Sequence, residues 1–414
     1  MSPLLALWTA EDQDLDATAP VDAETLAGAG AIVEDVRRGG SDALRRHAER
    51  LDRLAPSAPL LFERAELERA RDALAVADRT LLERVAERIR TFAEAQRASV
   101  QDLDVAIEGG RAGHRWLPVD TVGAYAPGGR YPLPSSVLMT VVTARAAGVE
   151  TVFCASPSPA PITLAAAAVA GADGLLAAGG AQAIAAFAFG VEVPQSDLVV
   201  GPGNRWVTAA KKLLVGEVGI DGLAGPSELV VVADGTASPV LVARDLIAQA
   251  EHDVDARAML VTTSPDVVTA VEAELERQLS DLSTADTART SLTRNGRAFL
   301  VRDDEETRRL VDRLAPEHLE LCVADPERLA EGLSNYGGLF LGAASAEVFG
   351  DYGVGPNHVL PTGGSARFQA GLSVLTFLKP ATWMRMERPE VVAEDVERLA
   401  RHEGLEGHAR AARR

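Results

Sequence analysis

Gln249 and His252 stand three residues apart in Asp245–Asp253, a stretch with no Gly or Pro and an acidic start. It reads as a helix. On a helix that spacing puts both side chains on one face, about one turn apart. An imidazole nitrogen and an amide oxygen can then point at one ion, and the imidazole suits Zn2+. The pair alone is a weak signal, because many solvated helix faces carry it. It gains weight from further His and carboxylate residues in Gly-rich or non-helical settings: Glu317, His318, Asp351, His358 and His408.

Glu317 and His318 are adjacent in Ala315–Glu320, between a charged helical run and an apolar one. A histidine titrates near neutrality, and a carboxylate can steer water or orient the ring. Neighbours on an extended chain point to opposite faces, so both serve one site only if the backbone turns there. Gly350–Thr362 is dense in Gly and Pro yet carries Asp351, Asn357 and His358, which suits a supported functional loop. Ser227, in Ala224–Glu228, precedes an apolar run and reads as a turn serine or a substrate contact. Three Gly-rich turns, Tyr125–Gly129, Gly179–Ile184 and Gly201–Asn204, adjoin apolar runs, and the last two lead into helices. Backbone amides there can hold a phosphate or a ribose. None is GxGxxG, so the usual dinucleotide fingerprint is absent. Glu403 and His408 lie in the charged tail, where solvated residues are ordinary.

These groups must be held by a large scaffold. The chain has 414 residues, long enough for two or more domains. Its hydrophobic content of 47% excludes disorder, and its net charge of −19 argues against nucleic acid or an anionic membrane as partner. An anionic cofactor is still compatible, because amides bind phosphate without net charge. Cys154 and Cys322 sit in apolar runs and read as buried strand residues; there is no CxxC pair. No basic leader and no run of ~18 apolar residues is found, so no signal peptide or membrane span is expected and the cytoplasm is the default location.

Residues 1–18 read as a short arm. From Val21 to Leu103 the pattern is helical and charged, with a loop at Gly39–Asp42 ending one helix and capping the next. After Trp116, apolar runs at 151–155, 174–178, 198–200, 229–233, 258–262, 298–301, 319–323 and 339–341 alternate with helical spacings. Runs apolar throughout suit parallel strands covered on both faces, hence doubly wound α/β domains with ligands at the carboxyl ends of strands. After Arg367 the texture returns to helix, and 389–414 is a charged helical tail.

Taken in order, Val122–Gly129, Gly179–Ala186, Gly201–Asn204, Ala224–Glu228, Gln249–Asp253, Ala315–Glu320, Gly350–Thr362 and Glu403–His408 resemble the histidinol dehydrogenase family along almost the whole chain. The resemblance implies a zinc-dependent, NAD-linked, four-electron oxidation of L-histidinol to L-histidine through histidinal, the last steps of histidine biosynthesis. It implies zinc, one per subunit, on Gln249, His252, Asp351 and His408. His408 would come from the partner in a domain-swapped homodimer. It makes His318 the general base and Glu317 the activator of water. Ser227, His358 and Glu403 would hold the amino alcohol beside the metal ligands, while Tyr125, Gln182 and Asn204 would hold NAD. The zinc would serve orientation more than polarisation.

The family architecture implies two Rossmann-like domains with small terminal helical elements. Here that gives an arm at 1–18, a first α/β domain at 19–124 and 227–372, a second at 125–226, and a tail at 373–414 reaching the partner. Gln369–Gly371 and Lys379–Met386 depart from the family pattern. Three readings stand beside the first: a paralogue acting on another polar alcohol such as a sulfonated propanediol, a non-catalytic α/β sensor, and a zinc hydrolase. The hydrolase would leave the Gly turns unexplained.

Overall fold

The structure, a computed structural model, describes residues 3–9, 11, 21–128 and 131–413. Gly129, in the first Gly-rich turn, and most of the 1–18 arm lie outside the described residues. Two six-stranded sheets carry the α/β fold, with a three-stranded antiparallel sheet beside them.

One sheet is built on Glu228–Ala233, six residues buried throughout. Its order is 6–9, 297–300, 257–262, 228–233, 318–322, 338–341, and all its neighbouring strands are parallel. The other is built on Thr121–Tyr125, in the order 61–63, 174–176, 151–155, 121–125, 198–200, 219–220. Only its edge strand Leu61–Glu63 runs antiparallel. The eight apolar runs expected as strands are strands, shifted by a residue or two at some ends. The inner ones are buried on both faces because helices cover both sides, whereas the edge strand Gly338–Leu341 is only half-buried.

Three expectations are corrected. The arm is not featureless: Ala6–Thr9 adds an edge strand to the Glu228 sheet beside Arg297–Leu300. Leu4 and Leu5 are buried, and their amides donate to the Glu272 carboxylate at 3.2 and 2.6 Å. Four residues are too few for a period to show. The break expected at Gly39–Asp42 is present but narrow: two helices meet within Ala23–Leu51 across a kink at Gly40, φ 53°, ψ −137°. Glycine has no Cβ to oppose that conformation, so one residue absorbs the kink. After Arg367 the chain does not return to helix at once. Leu378–Met386 is a strand, antiparallel to Gly110–Pro118, which also pairs with Leu103–Ile107. The Lys379–Met386 stretch that departs from the family pattern is this strand, and its partners lie far away in sequence.

The third correction concerns grouping. Helices Ala23–Leu51, Arg64–Ala73 and Val76–Ser99 pack on helices of the Tyr125 sheet, namely Gly180–Phe189 and Arg205–Leu214, Pro161–Ala170, and Pro134–Ala147. Their buried residues, such as Val36, Leu44, Leu67 and Ile89, share cores with that sheet. Residues 23–99 therefore do not join the core of the Glu228 sheet, with which 19–124 was grouped. An amphipathic helix shows which face it buries, but not which sheet receives it.

Candidate active site

The two sheets meet around a cavity of about 800 Å³, lined among others by Ser227, His252, Glu317, His318, Asp351 and His358. Ser227 directly precedes the strand Glu228–Ala233, and His318 opens the neighbouring strand, in register with Leu229. These groups thus lie at the amino ends of the Glu228 strands, not at carboxyl ends as expected. Tyr125 ends its strand, and Gly201 follows another, at the carboxyl ends of the second sheet. The site lies between the sheets, so each offers it a different end.

The backbone turn that Glu317 and His318 require is present. Ala315, capping the helix Asp304–Leu314, has φ 45°, ψ 59°, the left-handed region that a side chain disfavours. The chain re-enters as a strand with both side chains on the cavity. Glu317 Oε2 accepts from Ser227 Oγ at 2.6 Å and from the Glu228 amide at 2.9 Å. Its burial pushes the carboxyl up to about 8, against those two donors. The His318 ring is 3% exposed, and Nδ1 lies 3.2 Å from the Glu228 carbonyl. A carbonyl only accepts, so Nδ1 carries the proton and Nε2 is the basic nitrogen. Burial lowers the pKa of His318, which keeps the ring neutral; Asp351 and the Glu228 carbonyl act the other way.

Asp351 is the hub. Its Oδ1 lies 3.8 Å from His318 Nε2 and its Oδ2 3.7 Å from His252 Nε2. Its carbonyl accepts from His358 Nδ1 at 2.9 Å. His358 Nε2 in turn lies 3.3 Å from Ser136 Oγ, at the start of a helix of the other sheet. Asn357 Nδ2 donates to the Met139 carbonyl on that helix at 2.9 Å. This is how the irregular 350–362 loop is held.

The donor set fits a metal. Ligand atoms of His252, Glu347 and Asp351 all lie within 4.8 Å of one another. Gln249 is 0% exposed, and neither atom of its amide has a hydrogen-bond partner. A buried amide left unpaired is expensive, and an ion would relieve it. One imidazole, carboxylates and an amide oxygen suit zinc. The helix carrying Gln249 ends at Ala250, one residue before its cap Glu251. His252 sits just past the cap, its amide 3.3 Å from the Gln249 carbonyl, so a tight turn keeps the two neighbours rather than one helix face.

Sequence reading missed Glu347. It is 1% exposed, neither of its oxygens has a hydrogen-bond partner, and its Oε1 is 3.8 Å from His318 Nδ1. The available signal was its spacing, four residues before Asp351 ahead of a short helix. Also missed was a pair of carboxyls between the Gln249 helix and the His318 strand. Asp245, on the Gln249 helix, lies beside Glu320, two residues after His318, and each carboxyl acts on the other. Burial pushes these carboxyls up to about 6 and about 8. Each holds its proton more tightly folded than unfolded, so this contribution is complete in acid and is lost as pH rises through about 8. Thermal melts of the wild type should carry a falling component from pH about 4 to about 8, and Glu320→Gln should flatten that slope. An unchanged slope in the variant would remove the pair from the account.

Both cysteines are buried; burial holds the Cys154 thiol up at about 12, and that of Cys322 is raised too. Within one chain Glu403 and His408 do not reach the cavity. They are exposed on and beside the short terminal helices Ala393–His402 and Glu406–Ala411.

Tyr125, Gln182 and Asn204 line a second cavity of about 1050 Å³, which shares Gly128, Tyr131, Pro132 and Asn204 with the first. Gly201 has φ 111°, and a Cβ there would stand 2.0 Å from the Tyr125 carbonyl, so only glycine brings these strands' ends together. The Asn204 side chain caps the following helix through the Trp206 and Val207 amides at 3.0 and 3.3 Å. Gln182 is buried with its Oε1 unpartnered on this cavity. Gln369, another departure from the family pattern, donates to the Asp221 carbonyl at 2.6 Å and lines the first cavity.

Comparison with known proteins follows the same lines. A family model described as histidinol dehydrogenase matches residues 18–414. Histidinol dehydrogenase of Thermus thermophilus is 47% identical over 386 residues, 92% of either chain. That of Cereibacter sphaeroides is 43% identical over 419 residues, 99% of this chain and 94% of its own. The crystal structure of histidinol dehydrogenase from Elizabethkingia anophelis superposes with a TM-score of 0.93 at 29% identity, covering 100% of this chain and 98% of its own. An acetylating aldehyde dehydrogenase from Geobacillus thermoglucosidasius shares the fold alone, at a TM-score of 0.51 and 15% identity over 90% of this chain and 93% of its own.

Proposed function

The chain belongs to the histidinol dehydrogenase family, and we propose from that premise that it oxidises L-histidinol to L-histidine through histidinal, reducing NAD twice. The observation that carries the reading is one cavity holding a buried neutral base, a water-activating carboxylate and a metal-ready donor set. That combination accounts for alcohol and aldehyde oxidation together, which neither a sensor nor a hydrolase requires.

Gln249, His252 and Asp351 would hold zinc, with His408 of the partner subunit in a homodimer whose two Rossmann-like domains per chain enclose the site. Zinc, when bound, supplies the charge that orients the imidazole and amine of the substrate, and NAD supplies the hydride acceptor. The chain's own groups do the rest. Ser227, His358 and, from the partner subunit, Glu403 hold the amino alcohol. Its hydroxymethyl group then lies against His318, whose Nε2 takes the hydroxyl proton as the carbon gives up hydride. At the aldehyde level Glu317 takes a proton from water as its oxygen attacks the carbonyl carbon. Ser227 and the Glu228 amide fix that carboxylate's direction. The second hydride leaves the same carbon. In all, one histidinol, one water and two NAD give one histidine, two NADH and three protons.

The test is the stoichiometry: two NADH per L-histidinol consumed by zinc-loaded protein. No NADH from histidinol, with zinc bound and a polar alcohol such as a sulfonated propanediol turned over instead, would move the assignment to the paralogue. Glu317→Gln should slow the histidinal step by about 10²- to 10⁴-fold, so that aldehyde accumulates and can be trapped. Equal loss in both steps would take water activation away from Glu317.

A further inference from the structure

The turn Gly179–Gly180 leads into the helix Gly180–Phe189, and its amides read in the sequence as a phosphate cradle. In the folded chain the cradle is already filled. The Gly179 amide donates to Asp52 Oδ2 at 2.8 Å, and the Gly180 amide lies 3.3 Å from the Tyr125 hydroxyl. Asp52 reaches this point from the end of the long helix Ala23–Leu51, which it caps. Its backbone carbonyl is held by Ser158 Oγ at 2.7 Å. A carboxylate at the helix end takes the place of an anionic ligand and would repel one.

The same carboxylate sets the direction of Gln182. Asp52 Oδ2 accepts from Gln182 Nε2 at 2.9 Å. A carboxylate only accepts here, so the amide orientation is fixed. Gln182 Oε1 then points elsewhere, and it is buried with no partner. Asp52 Oδ1 takes part in no hydrogen bond among the described residues, and Asp52 forms no ion pair among them. Both residues line the 1050 Å³ cavity. This wall therefore shows unused acceptors and a negative charge.

The position along the cavity identifies what meets that wall. The hydride-accepting ring must lie where the two cavities join, at Gly128, Tyr131, Pro132 and Asn204. Asp52 and Gln182 line only the second cavity and are not among the residues the two share. The diphosphate is excluded from a carboxylate wall by charge, which leaves the far ribose, whose hydroxyls are donors. An acidic side chain on a ribose diol is the physical basis on which a site accepts an unphosphorylated ribose and refuses a 2′-phosphate.

We propose that Asp52 determines dinucleotide choice in this protein: with Gln182 it receives the adenosine ribose hydroxyls, and it excludes the 2′-phosphorylated dinucleotide. The proposal rests on the reading that the second cavity takes NAD. Asp52 is a specificity-determining and positioning residue, with no part in the bond changes.

Asp52→Asn isolates the effect. The amide oxygen can keep both bonds now made by Oδ2, while Oδ1 becomes a donor and the charge disappears. The full-length protein is titrated with NADH and NADPH by fluorescence, and with 5′-AMP and adenosine 2′,5′-bisphosphate as competitors. The wild type should bind the 2′-phosphorylated member of each pair at least about 100-fold more weakly. In Asp52→Asn, NADH binding should weaken about tenfold and the gap should shrink at least about tenfold. Under turnover, the loss should fall on KM for the dinucleotide rather than on kcat. A merely structural role would lower stability and leave the NADH-to-NADPH ratio unmoved, which overturns the proposal. If Asp52→Asn does not fold, Asp52→Ser, which also removes the charge, is read the same way. No NADH binding by the wild type would instead overturn the NAD reading itself.

Discussion

His318→Asn should lower kcat for histidinol oxidation by about 10²- to 10⁴-fold while bound zinc stays at one per chain. The replacement is chosen for its geometry. The Asn amide nitrogen can stand near the place of Nδ1 and keep the bond to the Glu228 carbonyl. What disappears is Nε2, the nitrogen facing Asp351 Oδ1 at 3.8 Å. Because the ring is buried and its pKa lowered, the wild-type base is neutral at physiological pH, and the variant has no group to replace it. Metal analysis and a melting curve on the same preparation separate loss of the base from loss of the fold. A variant retaining more than about a tenth of wild-type kcat would show that another group takes the proton.

Asp351→Ala should remove the metal and the activity together. The Asp351 carboxylate lies between His252 and His318, and its carbonyl orients His358. Zinc that binds only the folded protein stabilises it by about 4 kcal/mol at a thousand times its Kd. Wild-type protein stripped by a chelator should therefore melt at lower temperature and regain both Tm and turnover on titration with zinc. Asp351→Ala should show no zinc-dependent change in Tm. A normal zinc response in that variant would mean that Gln249, His252 and Glu347 hold the ion without Asp351.

The strands legible in the sequence were those whose information is local. Leu229–Ala233 and Ala258–Val261 are runs of apolar residues too continuous for a half-exposed sheet. The strand Leu378–Met386 gives no local strand signal because it is mostly exposed and carries no apolar run, and its partner, Gly110–Pro118, lies more than 250 residues earlier. The site was legible because its chemistry resides in residue types that a core does not require. Asp351 and His358 in a Gly-rich loop, and Glu317 beside His318, stand out against an apolar background. Glu347 and Asp52 did not stand out, since a carboxylate at a helix end is usually a cap, and its function depends on what faces it.

The sequence alone determined the class of fold, the family and the identity of most groups that meet in the first cavity. Each of those follows from residue type and short-range order. The tertiary structure decided four other things. The amino ends of one sheet face the carboxyl ends of the other across the site. The helices at 23–99 cover the Tyr125 sheet. Ala315 turns the chain so that adjacent residues share a cavity. Asp52 occupies a helix end that a bound phosphate could otherwise take. These depend on which distant surfaces bury each other, and burial is a property of the packed chain that no single segment carries.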